Sequence, residues 1–253
     1  MTSHSIESAL AKVPEATLGF WLIKIAATTL GETAGDAASM SLHLGYLAAT
    51  AAFAVVFAVL VLAQMRADRF RPLLYWSTII ATTTVGTTLA DFADRSLGIG
   101  YAGGTSLLLA LLCLSLWLWR RTTGSVAVAS VQSGQAEVFY WVTIMFSQTL
   151  GTALGDWSAD TAGLGYLGAA WLFGLALVVV ALLYWRTAVS RTALFWTAFI
   201  LTRPLGAVLG DFLDKPIAAG GLELSRFAAS AVLIGGIVIA LRLLPQRAAA
   251  AAH

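Results

Sequence analysis

Cysteine is almost missing from this chain. The one present, Cys113, falls inside a hydrophobic run, so no disulfide can form within the chain. Charge is scarce too: 11% of the 253 residues are Asp, Glu, Lys or Arg, against roughly 25% in soluble domains. A soluble fold is excluded unless the apolar runs are too short to span a bilayer. The first dozen residues are polar and mixed in charge, so no cleavable signal peptide is expected. A nucleophile elbow, a His-rich zinc motif and a phosphate loop are also missing, so an enzyme is not expected. Nor is a nucleic-acid partner.

What is present is apolar. Hydrophobic residues make up 59% of the chain, and eight stretches stand out near 17–39, 44–65, 73–94, 101–120, 138–160, 165–185, 193–214 and 225–244. A hydrocarbon core of about 30 Å needs about 20 helical residues. The runs are continuous and do not alternate, which fits helices and not barrel strands.

The chain also repeats itself. Trp21 to Asp36 (WLIKIAATTLGETAGD) returns as Trp76 to Asp91 (WSTIIATTTVGTTLAD), Trp141 to Asp156 (WVTIMFSQTLGTALGD) and Trp196 to Asp211 (WTAFILTRPLGAVLGD). In each copy an aromatic precedes the Trp, Gly stands at +10 from it, Gly or Ala at +14 and Asp at +15. A further Gly follows at Gly45, Gly100, Gly165 and Gly220. Four gap-free matches define four repeats, near 16–70, 71–135, 136–190 and 191–246 of a single membrane domain. Each holds two spans, so all four share one orientation, unlike the inverted repeats of many carriers.

Charge sets the expected topology. Lys12, Arg66, Arg69, Arg71, Arg120, Arg121, Arg186, Arg191, Arg242 and Arg247 gather on the side of the termini, against Arg95, Lys215 and Arg226 opposite. Basic residues concentrate in cytoplasmic loops, which places both termini in the cytoplasm. Glu7, Glu15, Asp68 and Glu137 are the acids of that side. The four repeat tryptophans are expected at the inner membrane interface, where amphipathic aromatics are favoured. The Ser/Gly/Gln-rich linker Thr122–Glu137 reads as flexible, and the terminal AAAAAH as an appendage outside the fold.

The second helix of each repeat carries almost no polar atoms and suits lipid. The first is rich in Thr, Gly and Ser and suits a protein interior. The expectation is an all-α membrane protein of eight transmembrane helices, odd-numbered helices inner and even-numbered outer.

Counting from each Trp, positions +3, +7, +11 and +15 form one ridge of the first helix. These are Lys24, Thr28, Glu32 and Asp36; Ile79, Thr83, Thr87 and Asp91; Ile144, Gln148, Thr152 and Asp156; Phe199, Arg203, Ala207 and Asp211. The Asp lies about 22 Å beyond the Trp, in the outer part of the membrane. Beside the ridge, Gly31/Gly35, Gly86/Ala90, Gly151/Gly155 and Gly206/Gly210 are small-xxx-small pairs that let backbones approach. Pro204 predicts a kink or local break in span seven.

A charge at mid-helix costs about 2.5–3.5 kcal/mol on insertion scales. Such groups must pair, take protons, hold a cation or face water. The functional reading is an acidic pathway formed by Glu32, Asp36, Asp91, Asp156 and Asp211, with Thr28, Thr83 and Gln148 lining it. The alternative is that the Asp residues cap helix ends and bind nothing. For Asp94, Asp160 and Asp214, which fall later, solvated turns are the expectation. Lys24 and Arg203 serve as counter-ions or as substrate ligands.

Two motifs, KVPEATLGFWLIKIAATTLGETAGD and ILTRPLGAVLGD, make the chain resemble a family of four-repeat bacterial membrane proteins whose repeat has no assigned function. The matching residues are Lys24, Glu32, Asp36, Trp196, Arg203, Pro204, Gly210 and Asp211. The resemblance implies a bacterial inner-membrane protein with two spans and a Trp per repeat, and no settled activity.

With no His or Cys in the stripe, its oxygen donors favour hard cations such as Mg²⁺, Ca²⁺ or Mn²⁺, or H⁺ and Na⁺, over copper and zinc. The pair Glu32 and Asp36 is similar to the acidic Glu-Gly-Asp motif of manganese and calcium exporters. The leading expectation is a transporter or channel for a small hard cation, proton-coupled in one version, with a divalent ion at the five acids as the one conceivable bound group. The alternatives are a transporter of a small organic anion held by Lys24 and Arg203, and a non-transporting scaffold or regulator. The expected partners are the lipid bilayer and a small ion, and a homo-oligomer is left open.

Overall fold

The computed structural model describes residues 12–131 and 134–249. Among them, eight long helices form: α1 (Leu18–Asp36), α2 (Tyr46–Arg66), α3 (Pro72–Asp91), α4 (Gly100–Thr123), α5 (Gly134–Asp156), α6 (Gly165–Arg186), α7 (Arg191–Asp214) and α8 (Arg226–Leu243). No strand is named among the described residues, where the one isolated bridge joins Pro14 to Ala248. Five helices, α2, α4, α6, α7 and α8, are long and apolar enough to cross a membrane.

Local chemistry starts and stops these helices. The Thr17 hydroxyl accepts from the Phe20 N–H at 3.2 Å and caps α1. Pro72 opens α3, where its missing N–H costs nothing. Gly124 ends α4 in a left-handed conformation. After their Asp, α1, α3 and α5 each run on through a wide π turn, over 37–41, 92–96 and 157–161. Repeat four instead stays α-helical to Asp214 and stops before Pro216, which cannot continue a helix. The expected break at Pro204 does not occur: α7 passes through it as one helix.

The odd helices form the inner ring. Helix α1 packs on α3, α3 on α5, α5 on α7 and α7 back on α1. Each even helix covers the ring from outside, and it does so against the next repeat, with α2 on α3, α4 on α5, α6 on α7 and α8 on α1. The α8–α1 contact closes the circle, tied by Thr33 Oγ1 and Ser230 Oγ at 2.8 Å. The even helices leave large apolar side chains exposed, among them Val59, Leu107, Trp171, Leu175 and Ile239.

Small residues set the ring's radius. A Cβ on Gly31 would collide with Thr83, one on Gly151 with Arg203, and one on Gly206 with Thr28. One on Gly86 would stand 2.9 Å from the carbonyl carbon of Gln148. The +10 glycine of each repeat therefore receives the +7 residue of the next, all the way round. Buried threonines bring their own satisfaction: Thr78, Thr82, Thr84 and Thr88 donate to the carbonyl four residues back.

Several expectations at the tryptophan end need correction. Trp76, Trp141 and Trp196 are buried within the protein, so their rings do not face outward as surface anchors. The aromatic before each Trp meets the Trp of the next repeat: Phe20–Trp76 at 5.4 Å, Tyr75–Trp141 at 6.0 Å, Tyr140–Trp196 at 6.2 Å and Phe195–Trp21 at 5.6 Å between ring centroids. Aromatic packing around the ring outweighs the interfacial preference of a lone indole. The linker is packed as well. Val128 and Val131 are buried, and the Val126 carbonyl accepts from Trp196 Nε1 at 2.9 Å. Glu137 is buried against Lys12 at 2.8 Å. Ala248 and Ala249 also join the fold: Ala248 bridges to Pro14, the Ala249 N–H donates to the Val13 carbonyl at 2.9 Å, and Ala249 is buried in the same cluster. Residues 132–133 of the linker, the arm up to residue 11 with Glu7, and the rest of the AAAAAH tail lie outside the described residues.

Candidate functional site

The ridge of each inner helix points to the ring axis, and its residues stack in layers. Lys24, Ile79, Ile144 and Phe199 form one layer, all fully buried. Thr28, Thr83, Gln148 and Arg203 form the next, also fully buried. Glu32, Thr87, Thr152 and Ala207 follow, and then the four carboxyls of Asp36, Asp91, Asp156 and Asp211. All ten residues singled out from the sequence therefore share one buried axis.

Glu32 and Arg203 meet between the neighbouring helices α1 and α7, and Arg203 also reaches Thr87 on α3 opposite. Arg203 Nη2 lies 3.0 Å from Glu32 Oε2 and donates to Thr87 Oγ1 at 2.7 Å and to Thr152 Oγ1. Arg203 Nε and Nη1 have no hydrogen-bond partner, and neither do both amide atoms of Gln148 or the Thr83 hydroxyl. Lys24 Nζ donates to Thr202 Oγ1 at 3.3 Å and sits 4.0 Å from the centre of the Phe199 ring. It has no carboxylate in ion-pair range among the described residues. Desolvating a charge costs several kcal/mol even after relaxation, so the neighbours of these two cations carry energetic weight.

The Asp layer carries partners that sequence reasoning assigned to loops. Arg95 Nε lies 2.9 Å from Asp91 Oδ1, and its Nη2 lies 3.6 Å from Asp156 Oδ2. Lys215 Nζ lies 3.0 Å from Asp211 Oδ1 and 2.5 Å from Asp36 Oδ2. Each base clamps the Asp of its own repeat and that of the next. Burial works against the Lys215 charge, but Asp211, Asp36 and Asp214 outweigh it and hold the ammonium above the ordinary lysine range. Arg95 is likewise disfavoured by burial, and Asp91 and Asp156 more than compensate.

Asp214 and Asp94 also depart from expectation. Both are buried and not solvated, whereas Asp160 is exposed. Asp214 Oδ2 accepts from Arg226 Nε at 2.8 Å, and Arg226 Nη2 reaches to 3.7 Å from Asp36 Oδ2. Asp94 lies over Gly104 of α4 with neither oxygen hydrogen-bonded. All three bases of this end, Arg95, Lys215 and Arg226, thus belong to the ionic network. A signal existed in the sequence: repeats two and four carry DFADR (91–95) and DFLDK (211–215), an acid and a base four apart, where the other two repeats carry Met40 and Asp160.

An apolar groove of about 370 Å³ lies on the flank between α1, α6 and α7, lined by Trp21, Leu177, Tyr184 and Phe195. Thr202, the partner of Lys24, reaches its wall. The groove's one charged lining residue is Arg191, and no residue of the four layers lines it.

Fold and site together define a class: a closed ring of four two-helix repeats around a buried, layered, ionisable axis. The chain belongs to the family described as Repeat of Unknown Function (DUF347), whose model matches residues 19–70, 74–125, 139–190 and 194–246. No curated protein matches the chain, and no solved structure does.

Proposed function

We propose that this chain is a multi-pass membrane protein that moves a small hard cation along the ring axis. The membrane setting is supported by the apolar outward faces of α2, α4, α6 and α8. The ten basic residues at the aromatic end support a reading in which that end and both termini are cytoplasmic, in a bacterial inner membrane, with the Asp layer outward. The observation that carries the transport reading is the burial of five carboxyls, Glu32, Asp36, Asp91, Asp156 and Asp211, with Lys24 and Arg203 along a ring whose glycines let the backbones approach, and the reach of Arg95 and Lys215 into its Asp layer. Buried ionisable groups in a membrane are expensive and mark ion or proton pathways. A scaffold needs no such axis.

In this state the axis is shut twice. The aromatic tier closes one end and the Arg95 and Lys215 clamps close the other. A cation entering from outside meets carboxylates already engaged by tethered bases, so entry means displacing a base. The oxygen-only donors keep the substrate class at Mg²⁺, Ca²⁺, Mn²⁺, Na⁺ or H⁺.

A small organic anion is the second reading, favoured by the unpartnered Arg203 Nε and Nη1 and by an unpartnered Gln148 amide at the equivalent ridge position. Purified protein in liposomes, tested against a cation panel with pH followed on both sides, separates the two. The cation reading predicts flux that disappears when Asp36, Asp91, Asp156 and Asp211 are all changed to Asn. Flux indifferent to those changes, or an anion flux lost in Arg203→Gln, would remove it.

A further inference from the structure

We infer that Asp36, Asp211 and Asp214 form a binding site for one divalent, oxygen-seeking cation, and that Lys215 is a tethered competitor which fills the site when the metal is gone. The inference deepens the cation reading and rests on it for the membrane setting. One carboxylate oxygen from each of the three residues lies within 4.8 Å of the others, and all three residues are buried. Asp36 Oδ1 and Asp214 Oδ1 are buried with no hydrogen-bond partner, so acceptor capacity remains in the cluster after the protein's own bases have bound. The ammonium of Lys215 stands where a cation would, at 2.5 Å from Asp36 and 3.0 Å from Asp211.

Charge balance selects the ligand. Three carboxylates face Lys215 and Arg226, which leaves one negative charge uncompensated. Replacing the ammonium with Na⁺ changes nothing in that count. Replacing it with a divalent ion, while Arg226 stays on Asp214, brings the cluster to neutrality. Burial makes neutrality valuable, because an uncompensated charge away from water is costly. Hard divalent ions take carboxylate oxygens and waters. Lys215 has somewhere to go: it follows the last residue of α7, and its side chain is 12% exposed.

The other half of the ring lacks this arrangement. There Arg95 holds Asp91 and Asp156, and Asp94 turns away toward Gly104. The site is therefore single, although the Asp layer is fourfold.

The test is Mn²⁺ binding to the purified full-length protein, read by electron paramagnetic resonance of the free ion. Lys215→Ala should tighten binding by about tenfold or more, Asp214→Asn should weaken it by about as much, and Asp160→Asn should leave it unchanged. In the unmodified protein, which needs no variant to fold, Mn²⁺ should raise the reactivity of Lys215 toward an amine reagent, read by mass spectrometry. Unchanged Lys215 labelling at saturating Mn²⁺, or binding indifferent to both Lys215→Ala and Asp214→Asn, overturns the inference. Binding that behaves as stated without any flux in liposomes sustains the site and removes the transport reading. Flux with no binding at this cluster does the reverse.

Discussion

The two ends of the ring are sealed by different physics. At the tryptophan end the four repeats obey one rule: each aromatic before the Trp packs on the Trp of the next repeat, and the termini and the linker pack over the cluster. At the Asp end the fourfold rule fails. Only repeats two and four supply a base, and Arg95 and Lys215 each hold two Asp residues. The difference teaches how a duplicated unit is specialised. Aromatic contacts tolerate fourfold repetition because each is independent of charge. Four carboxylates cannot repeat without partners, so the fourfold unit pairs up. An aromatic seal is indifferent to salt and pH, whereas an ionic seal yields to a competing cation.

Arg203→Ala strands Glu32 in the buried axis and should cost about 3–5 kcal/mol, as other broken buried pairs do. Thermal unfolding in detergent measures it, and adding Glu32→Gln should recover part of the loss. Trp76→Ala attacks the other end. It should cost a comparable or slightly smaller amount, about 3–4 kcal/mol for an emptied indole site, with no dependence on ionic strength. Gly86→Val pushes a branched side chain against the Gln148 backbone and should cost about 1–3 kcal/mol. Its expected signature is an Asp layer more accessible to solvent, read by hydrogen exchange after Asp91. Tyr75→Phe removes the 2.7 Å hydrogen bond to the Tyr140 hydroxyl and should cost only about 1 kcal/mol. A Tyr75→Phe loss as large as that of Trp76→Ala would mean that hydrogen bonding, not ring packing, closes this end.

Much of the fold is legible in the sequence because the repeat fixes it. The +3, +7, +11 and +15 ridge follows from helical geometry alone, and the glycines beside it point to close packing. Layer membership of Thr28, Thr83, Gln148 and Arg203 needs no more than that. The partners are harder to read. Arg95, Lys215 and Arg226 look like ordinary loop charges when counted for topology, yet long side chains let them reach back into the Asp layer. Asp214 is misjudged for a related reason, since α7 continues to that residue where the first three repeats widen into π turns after the Asp. Burial of Trp76, Val131 and Ala249 depends on contacts between distant parts of the chain, and no local pattern announces those. The packing of each outer helix on the following repeat is likewise a property of ring closure.

Chemical blockade of the ring axis tests the proposed route of the cation. In a Cys113→Ser background, Thr83→Cys places a thiol on the axis and Leu109→Cys places one on the outer face of α4. A small charged thiol reagent added to transporting liposomes should abolish cation flux through the first protein and leave the second unaffected. Flux that persists after Thr83→Cys is fully labelled would contradict the account.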